Sequence, residues 1–455
     1  MKLANMRSVY FIGIGGIGMS ALARWFHRHG KKVAGYDLSE TQLTRTIEVE
    51  GISVTYLDDP DTISTDFSDS ETTLVVYTPA IPKDNKIYNH YSSGYILKKR
   101  SEVLGIITAN LYTIAVAGTH GKTTTSTMIA HLLHSSNRNV TAFMGGISIN
   151  YMTNILIAKD TTNETIVVEA DEYDRSFLTL HPDYAIVTSV DADHLDIYSS
   201  AENLEKSFLD FVNNISTNGK LIMSTNVLSK KMKTKSKSLY GFSGADSKAE
   251  NIRIKEGYFT FDYSDPDYTI KNIRLLQPGY HNIENAVAAI KTCLDQGLSV
   301  EEVKSGLSTY RGVKRRFEYI IRTENLVFID DYAHHPVEID AFLRSLKAMY
   351  PDKRVTVVFQ PHLYSRTADF AKEFGRSLSL ADEVILLEIY PAREKPMEGV
   401  SSQLILDRIE HPNKRIIPKS KIVSILNSDE IEVLATMGAG DIDQLVLPIK
   451  QKLTA

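Results

Sequence analysis

The apolar residues of this chain come in short runs, and the segments between the runs have helical spacing. Val9–Ile12, Lys32–Asp37, Leu74–Tyr77, Ile114–Ala117, Thr165–Ala170 and Tyr184–Val190 are each a few residues long and mostly aliphatic or aromatic. A later series comprises Leu326–Asp331, Arg354–Phe359, Glu383–Glu388 and Glu432–Thr436. Runs of this length predict strands buried on both faces, as in parallel sheets. Between them, Met19–Gly30 and Ser126–Leu133 place apolar residues at the helical period, and Gly30 supplies a helix stop. Residues 236–276 break the rhythm. There Tyr, Phe and Ser alternate with charges, which predicts a β-rich insertion. The chain has no internal repeat and no low-complexity tract.

Two strand-to-helix junctions are glycine loops. The first is Gly13-x-Gly15-Gly16-x-Gly18, and the next strand ends at Asp37. Such glycines let backbone approach a pyrophosphate, and Asp37 suits a ribose hydroxyl. A dinucleotide, a UDP-sugar, or a tight turn that only packs helix on sheet would all satisfy this pattern. The second loop is Gly118-Thr119-His120-Gly121-Lys122-Thr123-Thr124. It aims backbone N–H groups and a helix N-terminus at phosphate oxygens. Lys122 can reach the β- and γ-phosphates of a nucleoside triphosphate, and the Thr123 hydroxyl can hold Mg²⁺. It departs from the general pattern at Val116, where a glycine is usual. With the strand rhythm, the loops predict an α/β fold of three domains: residues 1–107 Rossmann-like, 108–312 a parallel sheet of the P-loop ATPase type, and 313–455 Rossmann-like.

Ligands collect at the carboxyl ends of strands in such sheets. One end after the phosphate loop carries Glu169, Asp171 and Glu172; the next carries Asp191, Asp193 and His194. Carboxylates there suit Mg²⁺, which prefers oxygen donors. His194 reads either as a ligand or as a satisfied loop histidine. Asn282 and Asn285 open a helix at Gly279–Ala289; they suit an adenine edge, while Asn282 alone also suits a helix cap. Arg315 and Arg316 stand at a domain junction, where an arginine can close onto a γ-phosphate or be surface charge. Asp330–Pro336 and Phe359–Arg366 both follow strands and bring histidines, tyrosines and an arginine toward one cleft. His362 and Arg366 would suit the carboxylate of a small amino acid.

Composition narrows the class. In 455 residues, 43% are hydrophobic and 24% charged, enough for well-formed cores. Net charge is −5 with no basic block, which excludes tracking of a nucleic-acid backbone. Lys230–Lys237 is short and reads as a solvated loop. No run of eighteen apolar residues exists, so no transmembrane helix is expected, and the start of the chain carries no signal-peptide pattern. The single cysteine, Cys293, sits on the apolar side of a helix and excludes an intrachain disulfide framework, as expected in a reducing cytoplasm.

Taken in order, these blocks resemble the Mur ligase family. The likeness rests on Gly13–Ser20, Gly118–Thr125, Glu169–Glu172, Asp191–His194, His281–Asn285, Arg315–Glu318, Asp330–Pro336, Phe359–His362 and Gly438–Ile442, and it covers essentially the whole chain. The shortened phosphate loop is the family's own form. The resemblance implies an ATP- and Mg²⁺-dependent ligase that joins L-alanine to the lactyl carboxylate of UDP-N-acetylmuramate through an acyl phosphate, in peptidoglycan precursor synthesis. By that likeness Gly13, Gly15, Gly16, Gly18, Asp37 and His120 bind the UDP-sugar. Gly118, Thr119, His120, Gly121, Lys122, Thr123 and Thr124 cradle ATP, with Asn282 and Asn285 at adenine, Arg316 reaching the phosphates, and Asp331 the acidic residue on the ATP side. Thr123, Glu169 and His194 hold metal, and Lys122, Glu169, His194 and Arg316 carry the chemistry. Tyr332, His362 and Arg366 hold alanine. Leu363 stands where some members have a second basic residue, and Lys206 is not clearly in register for the carbamylated lysine of sister ligases. A monomer or weak homodimer with no nucleic-acid or membrane partner is expected. Three rivals stand beside this reading: a recycling ligase that adds a tripeptide to the same sugar, an NAD-dependent oxidoreductase built on the first loop, and a nucleotide-gated binding protein without chemistry.

Overall fold

The computed structural model describes residues 3–109, 111–160, 163–191, 198, 200–227, 232, 236–255, 258–392 and 394–454. It is an α/β protein with three sheets. The first sheet comprises β1 (Ser8–Ile12), β2 (Lys32–Tyr36), β3 (Ser53–Thr55), β4 (Thr73–Tyr77) and β5 (Ile96–Lys99), in the order β3-β2-β1-β4-β5. All its pairs are parallel. Its helices include α1 (Ile17–Arg28), α2 (Gln42–Val49), α3 (Lys86–Tyr91) and α4 (Arg100–Thr108).

The chain divides into two compact units. One comprises Met1–Lys248, Ser264–Tyr268 and Asn285–Gly306; the other comprises Ala249–Tyr263, Thr269–Glu284 and Leu307–Ala455. The first unit holds the first sheet and the strands β6 (Thr113–Ala117), β7 (Val140–Ser148), β8 (Thr153–Leu156), β9 (Thr165–Ala170), β10 (Tyr184–Val187), β11 (Lys220–Ser224) and β12 (Lys237–Gly241). These run β12-β11-β10-β6-β9-β7-β8. The helix α5 (Lys122–Ser135) follows β6, and α6 (Ala201–Asn213) precedes β11. One hydrophobic cluster runs through both sheets of this unit, from Val9, Phe11 and Trp25 to Phe143, Val168 and Phe208. Arg24 of α1 is buried in it, paired with Glu50 at 2.6 Å and bonded to Asn154, whose amide donates to the Ile17 carbonyl. Those polar bonds let a charged residue sit inside the core.

Next along the chain come β13 (Ser247–Lys255), β14 (Tyr258–Ser264) and β15 (Thr269–Leu275), which with β12 make up the expected β-rich stretch. In β14 buried residues alternate with half-buried ones, the pattern of a strand with one face on a core. Helices α7 (Tyr280–Asp295) and α8 (Val300–Thr309) follow. Cys293 is fully buried on α7, and burial pushes its thiol pKa up, so it is packing rather than a nucleophile.

The second unit holds the third sheet: β16 (Glu318–Arg322), β17 (Val327–Asp331), β18 (Val355–Phe359), β19 (Glu383–Leu386), β20 (Lys414–Ile416) and β21 (Val433–Met437), ordered β16-β17-β21-β18-β19-β20. Alternate residues of β17 and β18 enter opposite clusters. Val327, Ile329, Val355 and Val357 face one core with Phe342 and Leu346; Phe328 and Val358 face another with Ile442 and Ile449. Helices α9 (Pro336–Met349) and α10 (Tyr364–Leu378) follow β17 and β18. Every residue of β1, β6, β17, β18 and β21 is buried, as expected of parallel strands covered on both faces. The parallel expectation fails for two edge pairs: β7 with β8 and β16 with β17 are antiparallel. The strand expected over Tyr184–Val190 ends at Val187, because Thr188 and Ser189 turn their hydroxyls to the phosphate loop. Most of the Lys230–Lys237 cluster lies outside the described residues.

Candidate active site

The phosphate loop is built by β6, α5 and the end of β10. Gly121 opens α5 at φ +81°, and a Cβ there would stand 2.7 Å from Asn285 Oδ1, so only glycine fits both the turn and its neighbour. The Ser189 hydroxyl accepts from His120 N at 2.8 Å and lies 2.9 Å from the Thr119 hydroxyl. Asp191 N donates to Thr119 Oγ1 at 3.1 Å, and the Asp191 carboxylate is 3.7 Å from His120 Nε2. Lys122 donates to Gly118 O at 2.6 Å and pairs with the fully buried Glu172 at 2.7 Å. Burial by itself would depress the ammonium's pKa. The carboxylates of Glu172, Asp171 and Glu169 outweigh it and hold the pKa above the ordinary lysine value. Thr123 and Thr124 are buried on the first turn of α5. Asn285 Oδ1 accepts from Thr125 at 3.1 Å, so this asparagine braces the loop.

A cavity of about 290 Å³ lies beside the first glycine loop, lined by Gly16, Gly18, Thr78, Gly145, Glu169 and Asp171 among others. Gly145 leaves room for the Glu169 carboxylate, since a Cβ on residue 145 would collide with it. Asp37 Oδ2 accepts from Gly15 N at 2.7 Å. One of its oxygens therefore holds the loop itself. Asp171 stands 3.8 Å from Arg100, the first residue of α4.

In the second unit the end of β17 carries two buried aspartates. Asp331 accepts from Phe317 N and Ala333 N, both at 2.7 Å. Asp330 takes the Thr436 hydroxyl at 2.6 Å and the Arg315 guanidinium at 3.2 Å. Burial pushes both carboxyl pKa values up to about 6, against the pull of Arg315 on Asp330 and of Arg316 on Asp331. Arg315 and Phe317 lie at φ +61° and +48°, left-handed backbone that costs energy in non-glycine residues and is held here by Glu318 and Asp331. That geometry fixes Arg316, whose guanidinium sits 5.1 Å from the Tyr332 ring centre and 4.0 Å from Glu338. His362 stacks on Tyr390 and meets His334 edge-on, with ring centres 5.8 and 6.1 Å apart. Burial pushes both histidine pKa values down to about 4; each also feels the positive charge of Arg366. Both rings are therefore neutral at pH 7. Leu363, between His362 and α10, has φ +71° and donates to Tyr390 O. Asn282 donates its amide to Pro278 O at 2.7 Å.

Three family models match the chain: the Mur ligase family catalytic domain over residues 8–112, the Mur ligase middle domain over 116–293, and the Mur ligase glutamate ligase domain over 315–446. The UDP-N-acetylmuramate–L-alanine ligases of Christiangramia forsetii and Porphyromonas gingivalis are 47% and 48% identical to it, over 99% and 98% of this chain and 98% and 99% of theirs. The chain belongs to the Mur ligase family. The crystal structure of the UDP-N-acetylmuramate-alanine ligase of Thermotoga maritima superposes with a TM-score of 0.83 at 26% identity, covering 98% of this chain and 99% of that one. A murein peptide ligase of Psychrobacter arcticus shares the fold with a TM-score of 0.68 at 22% identity, over 98% of both chains.

In this Mur ligase the residues picked out in the sequence fall into three groups. Lys122, Thr123, Gly121, His120 and Asn285 share the phosphate loop; Gly16, Gly18 and Glu169 share the cavity; and Asp331, Tyr332, Arg316, His362 and Arg366 belong to the second unit. His194 lies outside the described residues. No observation supports the oxidoreductase reading of the first glycine loop, which falls within the Mur ligase catalytic-domain match. Two groups at the site carry no distinguishing sequence signal. Glu172 was one of three carboxylates in its block, and nothing local says which one meets Lys122. Tyr390 comes from a separate loop after β19 and carries no sequence signal. For Mg²⁺, Thr123 and Glu169 offer the hard oxygen donors the ion prefers, so the described residues fit it. Among the described residues no cluster of three or more His, Cys, Asp or Glu could hold a metal by itself, and no helix is long and apolar enough to cross a membrane.

Proposed function

We propose that this chain is an ATP-dependent ligase that joins L-alanine to the lactyl carboxylate of UDP-N-acetylmuramate, an early step of peptidoglycan precursor synthesis in the cytoplasm. The observation that carries the reading is sequence identity of 44–48%, over essentially the whole chain, to UDP-N-acetylmuramate–L-alanine ligases. The geometry described above supports the following residue roles. A carboxylate oxygen of the sugar attacks the γ-phosphorus of ATP, the bond to the ADP oxygen breaks, and an acyl phosphate forms. The amine of L-alanine then attacks the acyl carbon, the C–N bond forms, phosphate leaves, and the amine gives up its proton. Lys122 supplies positive charge where negative charge develops on the transferring phosphoryl group. We assign Arg316 to the same phosphates, and Asp331 to holding the strained segment that carries it. Mg²⁺, held by Thr123 and Glu169, would neutralise phosphate charge. Tyr332, His362 and Arg366 are assigned to the acceptor, with neutral His362 and His334 adding polar contacts without a second positive charge.

The test is an acceptor screen with UDP-N-acetylmuramate, ATP and Mg²⁺, read by product mass and phosphate release. Release that needs both the sugar and L-alanine, with a product one alanyl residue heavier, is expected. Turnover with the tripeptide but not with L-alanine would make it the recycling ligase. Binding without phosphate release would make it a nucleotide-gated binder.

A further inference from the structure

We infer that Arg100 holds the lactyl carboxylate of the sugar nucleotide and so distinguishes it from sugars that lack that arm; the inference rests on the ligase reading above. Among the described residues lining the cavity, Arg100 carries the one positive charge, against the carboxylates of Glu169 and Asp171. An anionic substrate arm entering there meets two like charges unless a cation offsets them. The guanidinium is partly exposed and lies across the first turn of α1. A Cβ on Gly18 would stand 2.6 Å from Arg100 Nη1, so the glycine is what lets the side chain lie there. Its ion-pair partner among the described residues is Asp171, at 3.8 Å, too long for a hydrogen bond. The fork therefore has donors to offer a ligand, and its planar geometry matches a carboxylate.

Position favours the carboxylate over the pyrophosphate. The N–H groups of Gly13 to Gly16 bond within the protein, to Tyr36 O, Asp37 and Gly13 O, so the pyrophosphate has the first-turn N–H groups of α1. The carboxylate must instead approach the phosphate loop. In the parallel pairing of β6 with β9, Val116 lies opposite Glu169, so Glu169 and Asp171 mark the end of the cavity nearest that loop. Arg100 spans from Gly18 to Asp171, between the two places. Its role is to position the attacking oxygen.

The experiment compares binding of UDP-N-acetylmuramate and of UDP-N-acetylglucosamine, which lacks the lactyl arm, to wild type, Arg100→Ala and Arg100→Lys by calorimetry without ATP. Loss of one charge-assisted contact should weaken the muramate ligand about 10–100-fold in Arg100→Ala, with the glucosamine ligand changed less than about twofold. Arg100→Lys keeps the charge but not the fork and should fall between. Equal loss for both ligands would place Arg100 on the pyrophosphate and overturn the inference; so would no loss for either. If Arg100→Ala does not fold, the ratio in Arg100→Lys decides in the same way. Because binding is read without turnover, failure of the wild type to ligate L-alanine counts against the ligase reading and not against this contact.

Discussion

Replacing Lys122 with alanine should damage both chemistry and stability, and the two effects can be separated. The ammonium pairs with Glu172 at 2.7 Å, and the Glu172 side chain is fully buried. Alanine leaves that carboxylate in the interior without its cation. Removing one partner of a buried pair costs about 3–5 kcal/mol, less whatever Glu172 recovers by taking up a proton. At about 2–4 °C per kcal/mol for a domain of this size, the melting temperature should fall by roughly 6–20 °C. Turnover should fall by at least about 10²–10³-fold, because the lost charge faces the transferring phosphoryl group. The double variant Lys122→Met/Glu172→Gln removes the buried carboxylate's charge as well. Exchanging a buried pair for uncharged groups is often close to neutral, so this variant should regain most of the lost stability and none of the activity. Differential scanning fluorimetry and phosphate release measure the two effects. An alanine variant that melts with the wild type would refute the structural half of the argument. A double variant with near wild-type turnover would refute the catalytic half.

Gly145→Ala should abolish turnover with little change in melting temperature, since the nearest atoms the new methyl group meets are those of the Glu169 carboxylate, the end of a flexible side chain; full activity would remove Glu169 from the chemistry. Arg316→Ala should lower kcat far more than ATP affinity, and a loss confined to ATP binding would contradict the assignment. Arg366→Ala should raise KM for L-alanine, glycine and L-serine together and spare the UDP-sugar, while in wild type glycine should trail L-alanine by about 10–200-fold in kcat/KM for its missing methyl; weaker UDP-sugar binding instead would move the acceptor pocket elsewhere. Burial pushes the His131 pKa down to about 4, between the Tyr151 hydroxyl and Gly306 O. The unfolded chain, with a histidine near 6.5, binds the proton first, so stability complete above pH 6.5 is lost as pH falls toward 4, on the order of 3 kcal/mol in all. His131→Gln should flatten melting temperature against pH in that window, and an unchanged slope would count against it.

Much of the fold was legible because its signals are local. Strand length, helical period and glycine spacing are set within a few residues, so β1, β6, β9, β17, β18 and β21 and both glycine loops could be placed from the chain alone. The antiparallel edges β8 and β16 could not be, because a short apolar run reads the same in either direction. Nor could the path of the core. Asn154 and Arg24 lie far apart in sequence, yet they bond inside one hydrophobic cluster that takes in both sheets of the first unit. The same division holds in the site. Lys122 and Thr123 were evident from their loop, and Glu169–Glu172 as acidic residues at a strand end. Which carboxylate takes the lysine was not, since it depends on how the turn after β9 packs against α5. Asn285, expected at adenine, has its amide oxygen on Thr125 of α5, and one oxygen of Asp37 is taken by Gly15 N, bonds that no local pattern shows. A sequence states which donors and acceptors exist and which lie within a turn of one another. Pairings between residues tens of positions apart are decided only when register and packing bring them within hydrogen-bond reach, where burial makes leaving either group unpaired too costly.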